Sequence, residues 1–90
     1  LQADRVTNAA LALNSVPEGF VTVDMSSYQI KYEDSNITMK YNDKELASEI
    51  NQNMINYDNI QGPSDFKKVN GTVCLRKTES NQLIIAAEAC

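Results

Sequence analysis

Histidine and tryptophan are missing from this 90-residue sequence, cysteine occurs twice, glycine three times and proline twice. Each shortage excludes something. Without histidine the usual general base of hydrolytic and transfer enzymes is gone, and two lone thiols have no partners with which to complete a tetrahedral Cys/His zinc site. The glycines stand singly at Gly19, Gly62 and Gly71, so no loop can cradle a phosphate. None of the twelve serines and threonines lies in a Gly-x-Ser-x-Gly pattern. No apolar run approaches the roughly 20 residues that cross a bilayer. Basic runs are also lacking: the formal net charge is −4 and nothing longer than the doublets Lys67-Lys68 and Arg76-Lys77 occurs, which argues against nucleic acid or an anionic lipid surface as a partner. These gaps predict a protein that is not an enzyme, with no cofactor, no metal and no small-molecule substrate.

What remains is informative about compartment. Cys74 and Cys90, the latter at the last position, form neither a Cys-x-x-Cys redox pair nor a zinc motif. They read as one disulfide holding the C-terminus of a small exported domain; the alternative is a pair of free buried thiols in a cytosolic protein. A chain this short buries only about 60 to 65% of its unfolded surface, so a staple matters. Closing a loop of about 15 residues contributes roughly 3 kcal/mol in the chain-entropy model, a large part of the 5 to 15 kcal/mol that separates typical folded and unfolded states. The sequence opens at Leu1 without a methionine and runs directly into helix-compatible residues, which predicts that a segment upstream has been removed.

Residues 1 to 15 carry Leu1, Ala3, Val6, Ala9, Ala10 and Leu13 at helical spacing with Asp4 in the first turn, and Pro17 and Gly19 stop the helix. The period then changes to two. Val21, Val23 and Met25, then Tyr28, Ile30 and Tyr32, then Ile37, Met39 and Tyr41 predict a three-strand meander broken at Ser26-Ser27 and at residues 33 to 36. Residues 44 to 56 fit either a helix with a Leu46, Ile50, Met54 stripe or a strand with Leu46, Ser48 and Ile50 on one face, entered through an Asn42-Asp43 turn. Residues 55 to 65 read as a surface loop, and residues 69 to 78 and 83 to 90 as a C-terminal hairpin. Pairing Val73 and Leu75 with Ala89 and Ala87 places the connection at Ser80-Asn81-Gln82, with Cys74 opposite Glu88 and Cys90 opposite Thr72. Both cysteines then share the non-core face as diagonal neighbours, roughly 7 to 8 Å apart, beyond ordinary disulfide reach. The last residues are therefore expected to leave the ladder and curl toward Cys74. The expected fold is a single α+β domain over residues 1 to 90, an N-terminal helix packed on an antiparallel β-sheet made of the meander plus the hairpin.

Few residues invite a functional role. The carboxylate pairs Glu33/Asp34 and Asp58/Asp65 lack the alternating oxygen ligands and glycine of a calcium loop and read as turn residues. Tyr28, Tyr32, Tyr41 and Tyr57 suit an interface, yet three of them run in phase with Ile30 and Met39, which favours the core rim. The sequons Asn36-Ile37-Thr38 and Asn70-Gly71-Thr72 make Asn36 and Asn70 candidate N-glycosylation sites.

A helix ending in "LALNSVPEGF", the meander "VTVDMSSYQIKYEDSNITMKYNDKE" and the terminal stretch "VNGTVCLRK…QLIIAAEAC" together resemble, across nearly the whole chain, the globular head of an archaeal type IV pilin-like or related membrane-anchored surface protein. The C-terminal cysteine pair is similar to the disulfide-bounded end of many bacterial pilins. The resemblance implies an apolar helix and a processing site upstream of Leu1, anchorage in the membrane before assembly, and a place on the cell surface in a filament with copies of itself or related pilins. It implies a structural role without catalytic residues. Two rivals stand beside it: a stand-alone secreted or cell-surface binding or adhesion module, and a small cytosolic enzyme or inhibitor domain with incidental cysteines.

Overall fold

The computed structural model describes residues 2 to 50 and 56 to 90. The helix α1 (Gln2–Leu13) buries Ala3, Val6, Ala9, Ala10 and Leu13 of the stripe that its spacing predicts; Leu1, the first member of that stripe, lies outside the described residues. Eight strands follow: β1 (Gly19–Asp24), β2 (Gln29–Glu33), β3 (Asn36–Tyr41), β4 (Lys44–Glu49), β5 (Asn59–Gln61), β6 (Lys67–Lys68), β7 (Thr72–Lys77) and β8 (Gln82–Ala86).

The α+β class holds, but the single sheet does not: the strands form two four-stranded sheets, ordered β1-β7-β8-β5 and β4-β3-β2-β6. The helix touches β1 and β7 of one and β3 and β4 of the other. Its apolar stripe thus shares one core with Ile30, Ile37, Met39, Val73, Leu75 and Leu83, all fully buried.

The correction begins at β1, which was expected to lead the meander but pairs with β7, Gly19 opposite Lys77 through Asp24 opposite Thr72. The reason lies in the connecting turn. Tyr28 N–H donates to the Met25 carbonyl, and only Ser27, the second central residue, has positive φ (78°), the pattern of a type II turn. Such a turn splays two strands rather than folding them into a hairpin, and the chain crosses to the second sheet. At the next turn both central residues, Asp34 (φ 50°) and Ser35 (φ 65°), are left-handed, as a tight hairpin requires, and β2 and β3 pair as neighbours in the expected order, with Ile30 opposite Met39 and Tyr32 opposite Ile37. After a turn at Asn42 (φ 54°), residues 44 to 49 take the strand alternative and complete a β2-β3-β4 meander; Met54, on which the helical alternative depended, lies outside the described residues.

Two further strands differ from expectation, one inside the stretch read as loop and one in residues assigned to no element. Asn59–Gln61 forms β5 and runs parallel to β8, and Lys67–Lys68 forms β6 at the edge of β2. The C-terminal hairpin exists, with a three-residue connection, but that connection is Glu79-Ser80-Asn81. Asn81 N–H donates to the Thr78 carbonyl, Thr78 N–H donates to the Gln82 carbonyl, and Asn81 sits at φ 61°. Left-handed geometry at the third loop residue is what Asn tolerates and Gln does not. The register therefore slides by two residues, to Cys74 opposite Ala86 and Leu75 opposite Ile85. A shift of two leaves every side chain on its intended face.

Candidate functional site

The most fully connected polar cluster lies at the C-terminal end of α1, where four backbone carbonyls lack intrahelical donors. Each of the four has found a different one. Tyr57 Oη donates to the Ala10 carbonyl (2.6 Å), Asn14 N–H to Leu11 (3.1 Å), Ser15 Oγ to Ala12 (3.1 Å) and Val16 N–H to Leu13 (3.2 Å). One residue further on, Lys77 Nζ donates to the carbonyls of Asn14 (3.1 Å) and Val16 (2.6 Å) and lies 5.7 Å from the centre of the Tyr57 ring. Lys77 sits at a core-facing position of β7 and is 8% exposed. A cation at a helix C-terminus is favoured by the helix dipole, so this cluster is structural chemistry. Burial pushes the Tyr57 hydroxyl up to about 12. The alternation of β7 marks Lys77 as inward-facing, the one signal in the sequence for this cluster.

Cys74 and Cys90 are joined, Cα atoms 5.2 Å apart. β8 ends at Ala86 and the last residues leave the ladder, as expected, although with Cys74 opposite Ala86 the two cysteines are not the diagonal neighbours that the expected register made them. Cys74 is 5% exposed yet stands apart from the main core cluster, on the face of β7 opposite Val73 and Leu75. Thr72, next on that face, has a buried hydroxyl without a hydrogen-bond partner.

The outward face of the β4-β3-β2-β6 sheet gathers charge that the sequence disperses. Strand alternation and register place Lys68, Gln29, Lys40 and Glu45 in one row across the four strands. Lys31, two residues from Gln29, belongs to the next row, opposite Thr38. Just before β6, the half-buried Phe66 lies between lysines: Lys31 Nζ is 4.8 Å and Lys40 Nζ 5.2 Å from its ring centre. Asp65 Oδ1 accepts the Phe66 backbone N–H (2.8 Å) and fixes the approach to the ring. Lys31 makes a long ion pair with the exposed Glu33, 3.7 Å; among the described residues Lys40 and Lys68 make none. An open groove of about 370 Å³ lies beside Lys31, lined also by Glu33, Asp34, Asn36, Thr38 and Ala47. Nothing in local sequence pattern ties Phe66 to Lys31 and Lys40; the β2–β6 pairing does.

The remaining candidates scatter. Asn70 is exposed, whereas Asn36 is half-buried in the central β3 and its Nδ2 donates to the Asp34 carbonyl (3.2 Å). Asp58 accepts a long bond from Asn81 Nδ2 (3.5 Å), and Glu33 and Asp34 are exposed at the groove. Tyr28, Tyr32 and Tyr57 pack on the rim of the core; Tyr41 is exposed, its ring 5.3 Å from that of Tyr28. A larger open cleft of about 520 Å³ near Phe20 and Arg76 also holds Glu18 and Glu79. Its opposite charges face no enclosed space, so size alone does not make it a site. Among the described residues no cluster of three or more histidine, cysteine or acidic side chains could hold a metal ion, and no helix is long and apolar enough to cross a membrane. No family model, no curated protein and no solved structure matches this chain.

Proposed function

We propose that this domain is the outward-facing head of a cell-surface filament subunit of the type IV pilin-like kind, exported, anchored in the membrane by an apolar segment upstream of Leu1, and assembled with copies of itself or related subunits. One observation carries the reading: α1 is the element on which both sheets rest, its stripe buried against β1 and β7 on one side and β3 and β4 on the other. A helix that organises a β head is what an upstream apolar helix would continue into, and Gln2 to Arg5 contain no proline or glycine to interrupt it. The disulfide at the far end of the chain supports an oxidising compartment. In this reading the head gives lateral contacts and a durable coat rather than catalysis, and the exposed Asn70 is the better placed of the two glycan acceptors.

The test is the N-terminus and mass of the mature protein isolated from its source cells without reductant. An apolar stretch of roughly 20 residues preceding Leu1 supports the proposal; a mature chain beginning at or near Leu1 overturns it. That outcome would favour a stand-alone exported binding module, the reading to which the lysines around Phe66 lend support.

A further inference from the structure

The geometry points to the Phe66 lysine cluster as a binding site for an acidic polysaccharide, a chain of sugar rings carrying carboxylate or sulfate groups. Lys31 and Lys40 both hold their ammonium groups close to one ring centre, 4.8 and 5.2 Å away. They therefore repel across a gap no wider than about 10 Å, the Debye length in 0.1 M salt. The ring's negative face offsets part of that repulsion, by about 0.5 to 1 kcal/mol for an exposed cation–π pair, but no carboxylate bridges the two. Lys68, in the same row as Lys40, adds a third charge. Two of the eight cationic side chains of an acidic protein thus converge on one half-buried aromatic ring, with a third on the same sheet face. An anionic group seated between the ammonium groups removes the repulsion, and a sugar ring is of a size to lie along the groove beside Thr38 and Ala47.

The same face rules on charge density. Glu33 and Asp34 border the groove and Glu45 ends the row beyond Lys40. Duplex DNA, with one charge per roughly 1.7 Å, would lay phosphates against these carboxylates as well as against the lysines. A polymer with a single negative charge on each sugar or pair of sugars can place its anions on Lys31, Lys40 and Lys68 and pass neutral hydroxyls over the acidic rim. The site is exposed on the single domain and its test needs no filament, so it stands or falls independently of the assembly proposal.

The experiment uses the disulfide-intact chain and calorimetric titration at low ionic strength with polygalacturonate, neutral dextran and a DNA duplex. Binding to polygalacturonate and not to dextran is expected. Lys31→Gln with Lys40→Gln should weaken it about tenfold, as loss of charged contacts does, and Phe66→Leu several-fold. Lys44→Gln removes the same charge from an inward-alternating position of β4 and should change affinity less than about twofold. Replacing both Lys31 and Lys40 by Arg should restore most of the binding, which a purely structural role for the pair would not require. The inference is overturned by no binding to polygalacturonate, by an equal loss in Lys44→Gln, or by a duplex that binds as tightly as the polyuronate. The last result would reassign the site to nucleic acid.

Discussion

Replacing Lys77 by Met tests how the end of α1 is held. Methionine keeps the unbranched stem and removes the ammonium, leaving the Asn14 and Val16 carbonyls without the donor they share. A hydrogen bond to a charged group contributes about 1.5 to 3 kcal/mol. The two bonds share one donor and are not additive, and removal of a largely buried ammonium recovers part of its desolvation cost. A net loss of about 3 kcal/mol follows. With an unfolding entropy of about 2.1 cal/mol/K per residue, a domain of this length loses about 5 °C per kcal/mol, so the thermal midpoint should fall by about 15 °C. Far-ultraviolet circular dichroism on heating reads this directly. Lys44→Met, at an exposed position, should stay within about 0.5 kcal/mol. A Lys77→Met midpoint within about 3 °C of the parent would mean that water satisfies those carbonyls as well as the lysine does, and the reasoning would fail.

Other outcomes follow from the same coordinates. Reduction of Cys74–Cys90 should lower stability by about 3 kcal/mol through the freed loop, and an unchanged melting curve with and without reductant would show that the thiols are not joined. Because the folded Tyr57 hydroxyl titrates near 12 rather than at the ordinary 10.0, the folded state holds its proton more tightly. Its stabilising contribution is complete below pH 10 and is lost as pH rises through 12; Tyr57→Phe should flatten that decline in urea denaturation series across this range. Gly62→Ala would set a Cβ 2.7 Å from Tyr32 Cβ and 3.5 Å from Ile85 Cβ. Overpacking of that kind costs about 1 to 3 kcal/mol, and a variant as stable as the parent would show that the 62–63 segment yields freely.

The helix stripe and the buried faces of β2 and β3 were legible because periodicity dictates both: Val6 and Leu13, or Ile30 and Met39, leave no other face to bury. Sheet assignment was not. Alternation tells which side of a strand is apolar but not which strand it pairs with, and the two-residue break at Ser26-Ser27 looks in sequence like the break at Asp34-Ser35. Their backbone angles differ, and the angles decide. β5 and β6 escaped notice because short edge strands of three and two residues carry too little pattern to count. The candidate site was the least legible. Lys31 and Lys40 can be read as outward-facing, but Phe66 joins them only through a two-residue pairing between β6 and β2. Dispersed in the chain, these lysines show no grouping; folded, three of them share one sheet face with Glu33, Glu45 and Glu49.

The β1–β7 pairing has a consequence for timing. Gly19 meets its partner only at Lys77, and the segment that leaves α1 is held by Lys77 at the Asn14 and Val16 carbonyls, so neither the first sheet nor the exit from α1 can be completed until more than three quarters of these residues have been made. Contacts so distant in sequence make for slow, all-or-none folding.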